Sequence, residues 1–235
     1  PMISTAAGIL FSLLLVAGVP VISYLTARQP QIRLIPRRAL YLSAMFSQWV
    51  LSVLGGLVVV ASSDFAAAGF RSVGLNAFLR WTALLTLGAL AATGLVLALE
   101  HWGWWPEESE LVRLILPATR MEKVWAVLLV APTAAVCEEF LYRGYLLAQL
   151  ERWLDSGPWA LVLSSIAFGL GHAYQGAAGT ARAAFLGAWL GYPVLLTGSL
   201  YPSMAAHFLI DALALGWLGP RFVERRPFEQ SGSAS

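Results

Sequence analysis

The chain has 235 residues, of which 58% are hydrophobic and only 12% are charged, and its mean hydropathy is +0.70. This composition excludes an ordinary water-soluble domain, in which about a quarter of the residues carry charge. The formal net charge is only +2, and no long polar stretch interleaves Lys or Arg with aromatic residues. We therefore expect no nucleic-acid partner.

Apolar runs dominate the chain from one end to the other. Several of them approach or exceed the roughly 20 residues with which a helix crosses a hydrocarbon core of about 30 Å. Since a helix satisfies its own backbone polar groups in lipid, the runs predict an all-α fold, a polytopic transmembrane bundle of about seven spans. The predicted spans are residues 6–26, 39–62, 79–100, 124–149, 159–172, 183–197 and 201–218.

The connections between the spans indicate an orientation in the bilayer. Acidic and basic residues mix with Leu and Ile from Pro106 to Glu122, a pattern that predicts an amphipathic helix in the membrane interface. Arginines crowd the first loop and follow the last span, and arginine marks cytoplasmic loops. An odd number of spans then places the N terminus outside and the C terminus inside. These arginines are Arg28, Arg33, Arg37, Arg38, Arg221, Arg225 and Arg226.

The fourth predicted span carries two adjacent carboxylates and an arginine within an apolar run. Glu139 and Arg143 are four residues apart with the acid first, so they can pair on one helical face. Glu138 lies about 100° around the helix from Glu139, so its partner must come from another helix. Ionisable groups are costly inside a membrane and need a partner or a task. We therefore regard Glu138 as the catalytic candidate.

Two of the three histidines lie at intramembrane or near-membrane positions. His172 closes the fifth span, and His207 and Asp211 share one face of the seventh. A single buried histidine is more often a hydrogen-bonded core residue than a catalytic one. In combination with the Glu pair, however, these groups can converge around a water molecule for acid–base chemistry.

These residues resemble the motifs of the CAAX protease and bacteriocin-processing (CPBP) family, whose members are intramembrane glutamic endopeptidases. The resemblance covers roughly residues 124–218 and leaves the first three spans out. Three motifs occur in order, namely Glu138-Glu139-x-x-x-Arg143, Phe168-x-x-x-His172 and His207-x-x-x-Asp211.

The resemblance implies a role for each residue of the motifs. Glu138 and His172 would activate a water molecule, while His207 and residue 211 would stabilise the tetrahedral oxyanion. Glu139 and Arg143 would support the site, and no metal or cofactor would be required. The family often has Asn at the position of Asp211, and an ionised carboxylate would repel an oxyanion. Asp211 is therefore expected either to be protonated or to orient and charge a histidine.

The resemblance also divides the chain and suggests a substrate. Residues 1–123 would form N-terminal transmembrane helices and the interfacial segment, 124–218 the catalytic core, and 219–235 a cytoplasmic tail. The substrate would be a membrane-associated protein or peptide in the lipid bilayer. The Arg-rich composition, with Lys123 as the only lysine, favours a bacterial inner membrane.

Other mechanisms fit the sequence less well. A zinc protease could use two His and a Glu, but HExxH is absent. A rhomboid-like serine protease would need Ser199 or Ser203 in a GxSxG setting, which is lacking. The single Cys137 excludes an internal disulfide and is typical of a small buried hydrophobe. A proton-coupled transporter or a non-catalytic binding or immunity protein remains the alternative of a different class.

One expectation conflicts with the motifs. Glu138 lies roughly 20 Å from the start of the fourth span, whereas His172 lies at the far end of the fifth. The predicted boundaries therefore place the two residues at different depths, Glu138 nearer the outer face. The motifs require them to lie together.

Overall fold

The structure is a computed structural model, and it describes residues 2–62, 68–106 and 110–218. These residues form helices and turns without a strand, although one isolated antiparallel bridge joins Phe70 to Ser199. The all-α prediction is confirmed for this part of the chain. The predicted cytoplasmic tail, residues 219–235, lies outside the described residues, as do its three arginines.

The N-terminal half contains the helices that the first three predicted spans anticipate. A π-helical turn lies within the first of these spans, and a short 3-10 turn connects the first span to the second. In chain order the elements are α1 (Met2–Leu13), a π-helical turn (Leu14–Gly18), α2 (Val19–Ala27), a 3-10 turn (Pro30–Leu34), α3 (Arg37–Ser62) and α4 (Leu75–His101).

The C-terminal half is also helical and contains three further π-helical segments. Two of them lie within one long, continuous helix that corresponds to the fourth predicted span. In chain order the elements are α5 (Glu110–Ile115), α6 (Arg120–Trp125), a π-helix (Ala126–Val130), α7 (Ala131–Glu138), a π-helix (Glu139–Leu146), α8 (Leu147–Leu154), α9 (Gly157–Gly171), a 3-10 turn (Ala173–Gln175), α10 (Gly176–Thr197), α11 (Tyr201–Leu213) and a π-helix (Ala214–Leu218).

Four described helices are long and apolar enough to cross a membrane, and they match the first four predicted spans. The last three predicted spans are helical as well, in α9, α10 and α11, but they are not among these four. The count of seven spans therefore stays a prediction. The four helices are Ala6–Ala27, Arg37–Ser62, Leu75–His101 and Arg120–Leu154.

The amphipathic segment before the fourth span is divided in the structure. Its described part forms the short α5, which α3 contacts through a hydrogen bond from the Tyr41 hydroxyl to the Ile115 carbonyl at 2.7 Å. A new helix then begins at a capping box, in which the Thr119 hydroxyl accepts from the Glu122 amide at 3.2 Å. Because the capping box starts the next long helix, the amphipathic helix is shorter than its sequence pattern indicated.

A helical hairpin brings the fourth and fifth spans together. The fourth helix continues to Leu154, and Asp155 turns the chain in a left-handed conformation with φ of 50° before α9 begins. Asp155 lies midway in sequence between Glu138 and His172. In an antiparallel hairpin, the two residues therefore lie at similar depths. The expected difference in depth was wrong because α9 is short, at 15 residues, so His172 at its end lies about as far from the turn as Glu138 does.

Small residues allow α9 and α10 to pack closely. A Cβ atom on Gly169 would lie 2.7 Å from the Ala184 Cβ and 2.7 Å from the Thr180 carbonyl oxygen. The next helix, α11, is fixed against α10 by a hydrogen bond from the Ser203 hydroxyl to the Leu190 carbonyl at 2.7 Å. These contacts place α11, with its histidine and aspartate, beside the hairpin.

Candidate active site

His207 of α11 lies between three carboxylates. Its Nδ1 is 2.8 Å from Oε1 of Glu139, and its Nε2 is 3.8 Å from Oε2 of Glu138 and 3.5 Å from Oδ2 of Asp211. An ionised carboxylate accepts hydrogen bonds only, so Nδ1–H of His207 donates to Glu139. The opposite nitrogen consequently faces Glu138 and Asp211.

Behind His207, Glu139 forms the ion pair with Arg143 that the four-residue spacing predicted. Arg143 Nη1 lies 3.3 Å from Oε1 of Glu139, and the two side chains are 1% and 0% exposed. Arg143 also donates from Nε to the Gly187 carbonyl at 3.4 Å, and its guanidinium lies 4.1 Å from the centre of the Phe168 ring. These contacts compensate in part for burying two charges, since Nη1 and Nη2 of Arg143 and Oε2 of Glu139 have no hydrogen-bond partner among the described residues.

The other side of His207 is accessible. The side chains of Glu138 and Asp211 are 15% and 30% exposed, compared with 9% for His207 itself. A water molecule or a substrate can therefore reach these two carboxylates, whereas it cannot reach Glu139. The cluster has a buried supporting side and an open side.

His172 reaches the cluster through an aromatic side chain. It caps α9, and its Nδ1 lies 2.9 Å from the Phe168 carbonyl, which can only accept, so Nδ1–H donates. The Phe168 ring lies 4.6 Å from the His172 ring and 6.4 Å from the His207 ring, centre to centre. No hydrogen bond or ion pair joins His172 to Glu138 among the described side chains. His172 and His207 are therefore neighbours of one aromatic ring, and His172 forms no such bond with Glu138.

Sequence reasoning did not identify Gln48 of α3 as part of this cluster. Its Nε2 donates a hydrogen bond to Oε1 of Glu138 at 2.6 Å. A signal was present in the sequence, because Gln48 is an amide within an apolar run and lies seven residues from both Tyr41 and Gly55. Those two residues are buried on the same stripe of α3.

Tyr174 in the 3-10 turn after His172 was also missed. Burial raises the pKa of Tyr174 to about 12, the hydrogen bond from Gln175 opposes the rise, and the charges of Glu138 and Asp211 add to it. The hydroxyl therefore stays protonated at neutral pH. The Tyr174 ring lies 6.0 Å from the His172 ring, centre to centre, which places it beside the cluster.

The glutamate motif lies where the helix widens. Glu138 ends α7, and the eight residues from Glu139 to Leu146 form a π-helix in which every residue is buried. The sequence prediction assumed 3.6 residues per turn throughout. A π-helix has more residues per turn, and such segments are rare and frequent at functional sites.

The serines and the cysteine that a serine or cysteine protease mechanism would use are buried. Ser199, Ser203 and Cys137 are each 0% exposed, and the Ser203 hydroxyl is engaged with the α10 backbone. Within the described ranges, no three His, Cys, Asp or Glu side chains form a group that could hold a metal ion. The open side of the cluster instead contains the partly exposed carboxylates of Glu138 and Asp211.

Comparison with known proteins agrees with the motifs. Residues 119–213 match the family model described as Type II CAAX prenyl endopeptidase Rce1-like, and no curated protein or solved structure matches the chain. The match begins at the capping residue of α6 and ends with α11, so it contains every residue of the cluster except Gln48. We call this matched segment, residues 119–213, the Rce1-like domain.

The predicted resemblance to the CPBP family is confirmed over this segment. The match supports an intramembrane endopeptidase of the CAAX protease type. Together with the four apolar helices, it identifies the chain as a multi-pass integral membrane protein.

Proposed function

We propose that this protein hydrolyses a peptide bond of a membrane-associated protein or peptide with a water molecule that Glu138 and His172 activate, without a metal ion or cofactor. The observation that carries the proposal is the position of His207, held by buried Glu139 on one side and facing accessible Glu138 and Asp211 on the other. Helices remote in sequence bring these groups together at one partly exposed point.

Glu138 is the general base in this proposal. Its Oε1 accepts from Gln48, which leaves Oε2 to take a proton from water. His172 assists because its Nδ1–H is already donated to a carbonyl, so Nε2 of the neutral ring is an acceptor. The hydroxide attacks the peptide carbonyl carbon, and the proton on Glu138 then passes to the departing amine.

His207 is the group that stabilises the oxyanion. When both ring nitrogens are protonated, Nδ1–H is donated to Glu139, and Nε2–H, which faces Asp211 at 3.5 Å, can be donated to a developing negative charge. Arg143 holds Glu139, so the imidazole orientation depends on both. The 3.5 Å contact of Asp211 with Nε2 favours a role in orienting and charging His207 over direct donation to the oxyanion.

Membrane-anchored tails are the substrate class that we propose. Peptide precursors, sorting tails and prenylated C-terminal tails all belong to it. The single lysine among 15 basic residues favours a bacterial inner membrane, where prenylated tails are the least favoured of the three.

The test is cleavage of a panel of such tails by the purified full chain. Wild type, Glu138→Gln and the control Glu151→Gln, which alters an exposed glutamate of the same helix, are compared with and without a chelator. Chelator-resistant cleavage that is lost only in Glu138→Gln is the expected result. An active Glu138→Gln protein would overturn the assignment of the base, and cleavage of no tail would favour the transport or binding alternative.

A further inference from the structure

Helix α3 lies outside the matched domain but contributes a polar side chain to the cluster. Gln48 is half-buried near the middle of this apolar helix. It lies on the same helical face as Tyr41, Gly55 and Val59, which are buried. An amide at such a position loses hydrogen bonds to water and needs a partner within the bundle. Glu138 is the partner that the structure provides.

The hydrogen bond distinguishes the two oxygens of the Glu138 carboxylate. Gln48 Nε2 donates to Oε1 at 2.6 Å, while Oε2 faces His207 Nε2 at 3.8 Å, beyond hydrogen-bond distance. An amide donor on a carboxylate forms a strong, charge-assisted bond, so it fixes the rotation of the carboxylate. The oxygen that is not engaged is held toward the open side of the cluster.

We propose that Gln48 is a positioning residue that holds the Glu138 carboxylate in the orientation required for attack by water. The functional site then extends from the Rce1-like domain to α3, and the domain alone lacks one of its parts. The inference rests on the proposed function, because it takes Glu138 as the base.

Two substitutions that keep a side chain of about the size of glutamine test the role of the amide. Gln48→Leu removes the donor, and Gln48→Glu replaces it with a group that repels the Glu138 carboxylate when ionised. Ser47→Ala is the matched control, because Ser47 is exposed on the same helix and bonds only the Ala44 carbonyl, at 2.9 Å.

The measurements are kcat and KM for the purified full chain in detergent micelles, with a lipid-anchored peptide and an S-farnesylated C-terminal peptide as probes. For each probe that wild type cleaves, both Gln48 variants should lower kcat on the order of 10- to 100-fold and change KM less than about twofold. Ser47→Ala should match wild type. Retention of kcat within about twofold in Gln48→Leu would overturn the proposal.

A second measurement separates this inference from the proposed function. The thermal unfolding of Gln48→Leu, Glu138→Ala and the double variant forms a double-mutant cycle that needs no activity. Shifts in Tm that are smaller in the double variant than the sum of the single shifts support the pairing, even if no probe is cleaved and the proposed function fails. Additive shifts would overturn the positioning role whether or not the protein is a protease.

Discussion

The two sides of His207 contain similar chemical groups in opposite surroundings. On the buried side, Glu139 has no exposed surface and is neutralised by Arg143. On the open side, Glu138 and Asp211 are partly exposed, and neither has a basic residue other than His207 within ion-pair distance in the described part of the chain. Adjacent carboxylates in one motif therefore lie in different surroundings, one buried against the histidine and the other partly exposed.

The largest effect on activity should come from the open side. Glu138→Gln keeps the size of the side chain but removes its ability to accept a proton. It should lower kcat/KM by about 10²- to 10⁴-fold with an unchanged Tm. Cleavage assays and thermal unfolding of the same preparation measure both quantities. A loss of activity that is accompanied by unfolding would show instead that Glu138 belongs to the supporting side.

The largest effect on stability should come from the buried side. Glu139→Ala leaves the Arg143 guanidinium buried without its counter-ion, which should lower the free energy of unfolding by about 3–5 kcal/mol and also reduce activity. Chemical denaturation in detergent measures the change, with the exposed Glu151→Ala as the control. A Glu139→Ala protein as stable as wild type would remove the distinction between the two sides.

A smaller effect is expected at the rim of the open side. Asp211→Asn retains the shape of the side chain and removes its charge, so His207 keeps a polar neighbour at Nε2. We expect kcat/KM within about tenfold of wild type, and a larger loss for Asp211→Leu. Equal losses in the two variants would indicate that the negative charge of Asp211 is indispensable.

No effect is expected from a chelator. The proposed chemistry uses side chains alone, so EDTA or phenanthroline should leave the rate of cleavage unchanged. Inhibition that added zinc reverses would instead favour metal-assisted hydrolysis, in which Glu138 and His207 are ligands.

Much of the helical architecture could be predicted from the sequence, because apolar runs follow membrane thickness. The end of the fourth span could not. The apolar pattern stops near residue 149, where Glu151 and Arg152 follow, but the backbone remains helical to Leu154. A helix needs backbone hydrogen bonds rather than apolar side chains, so polar residues can continue it beyond the lipid-facing part.

The site could be predicted where its contacts are local. Glu139 and Arg143 follow from their four-residue spacing, but the bond from His207 to Glu139 joins positions 68 residues apart. Spacing along one helix contains no information on such a contact. The family resemblance instead predicted that the residues of the three motifs lie together. Gln48 lies outside the matched segment, so neither local spacing nor the resemblance pointed to it.

The position of Asp155 midway between Glu138 and His172 constrains how this hairpin can change in length. Four residues inserted between Glu138 and Asp155 alone would displace Glu138 from His172 by about 6 Å along the helix axis. The same insertion in both arms would move the turn outward and leave the two residues level. Variants of this hairpin that keep the site intact should therefore lengthen or shorten in matched pairs, one change in each arm.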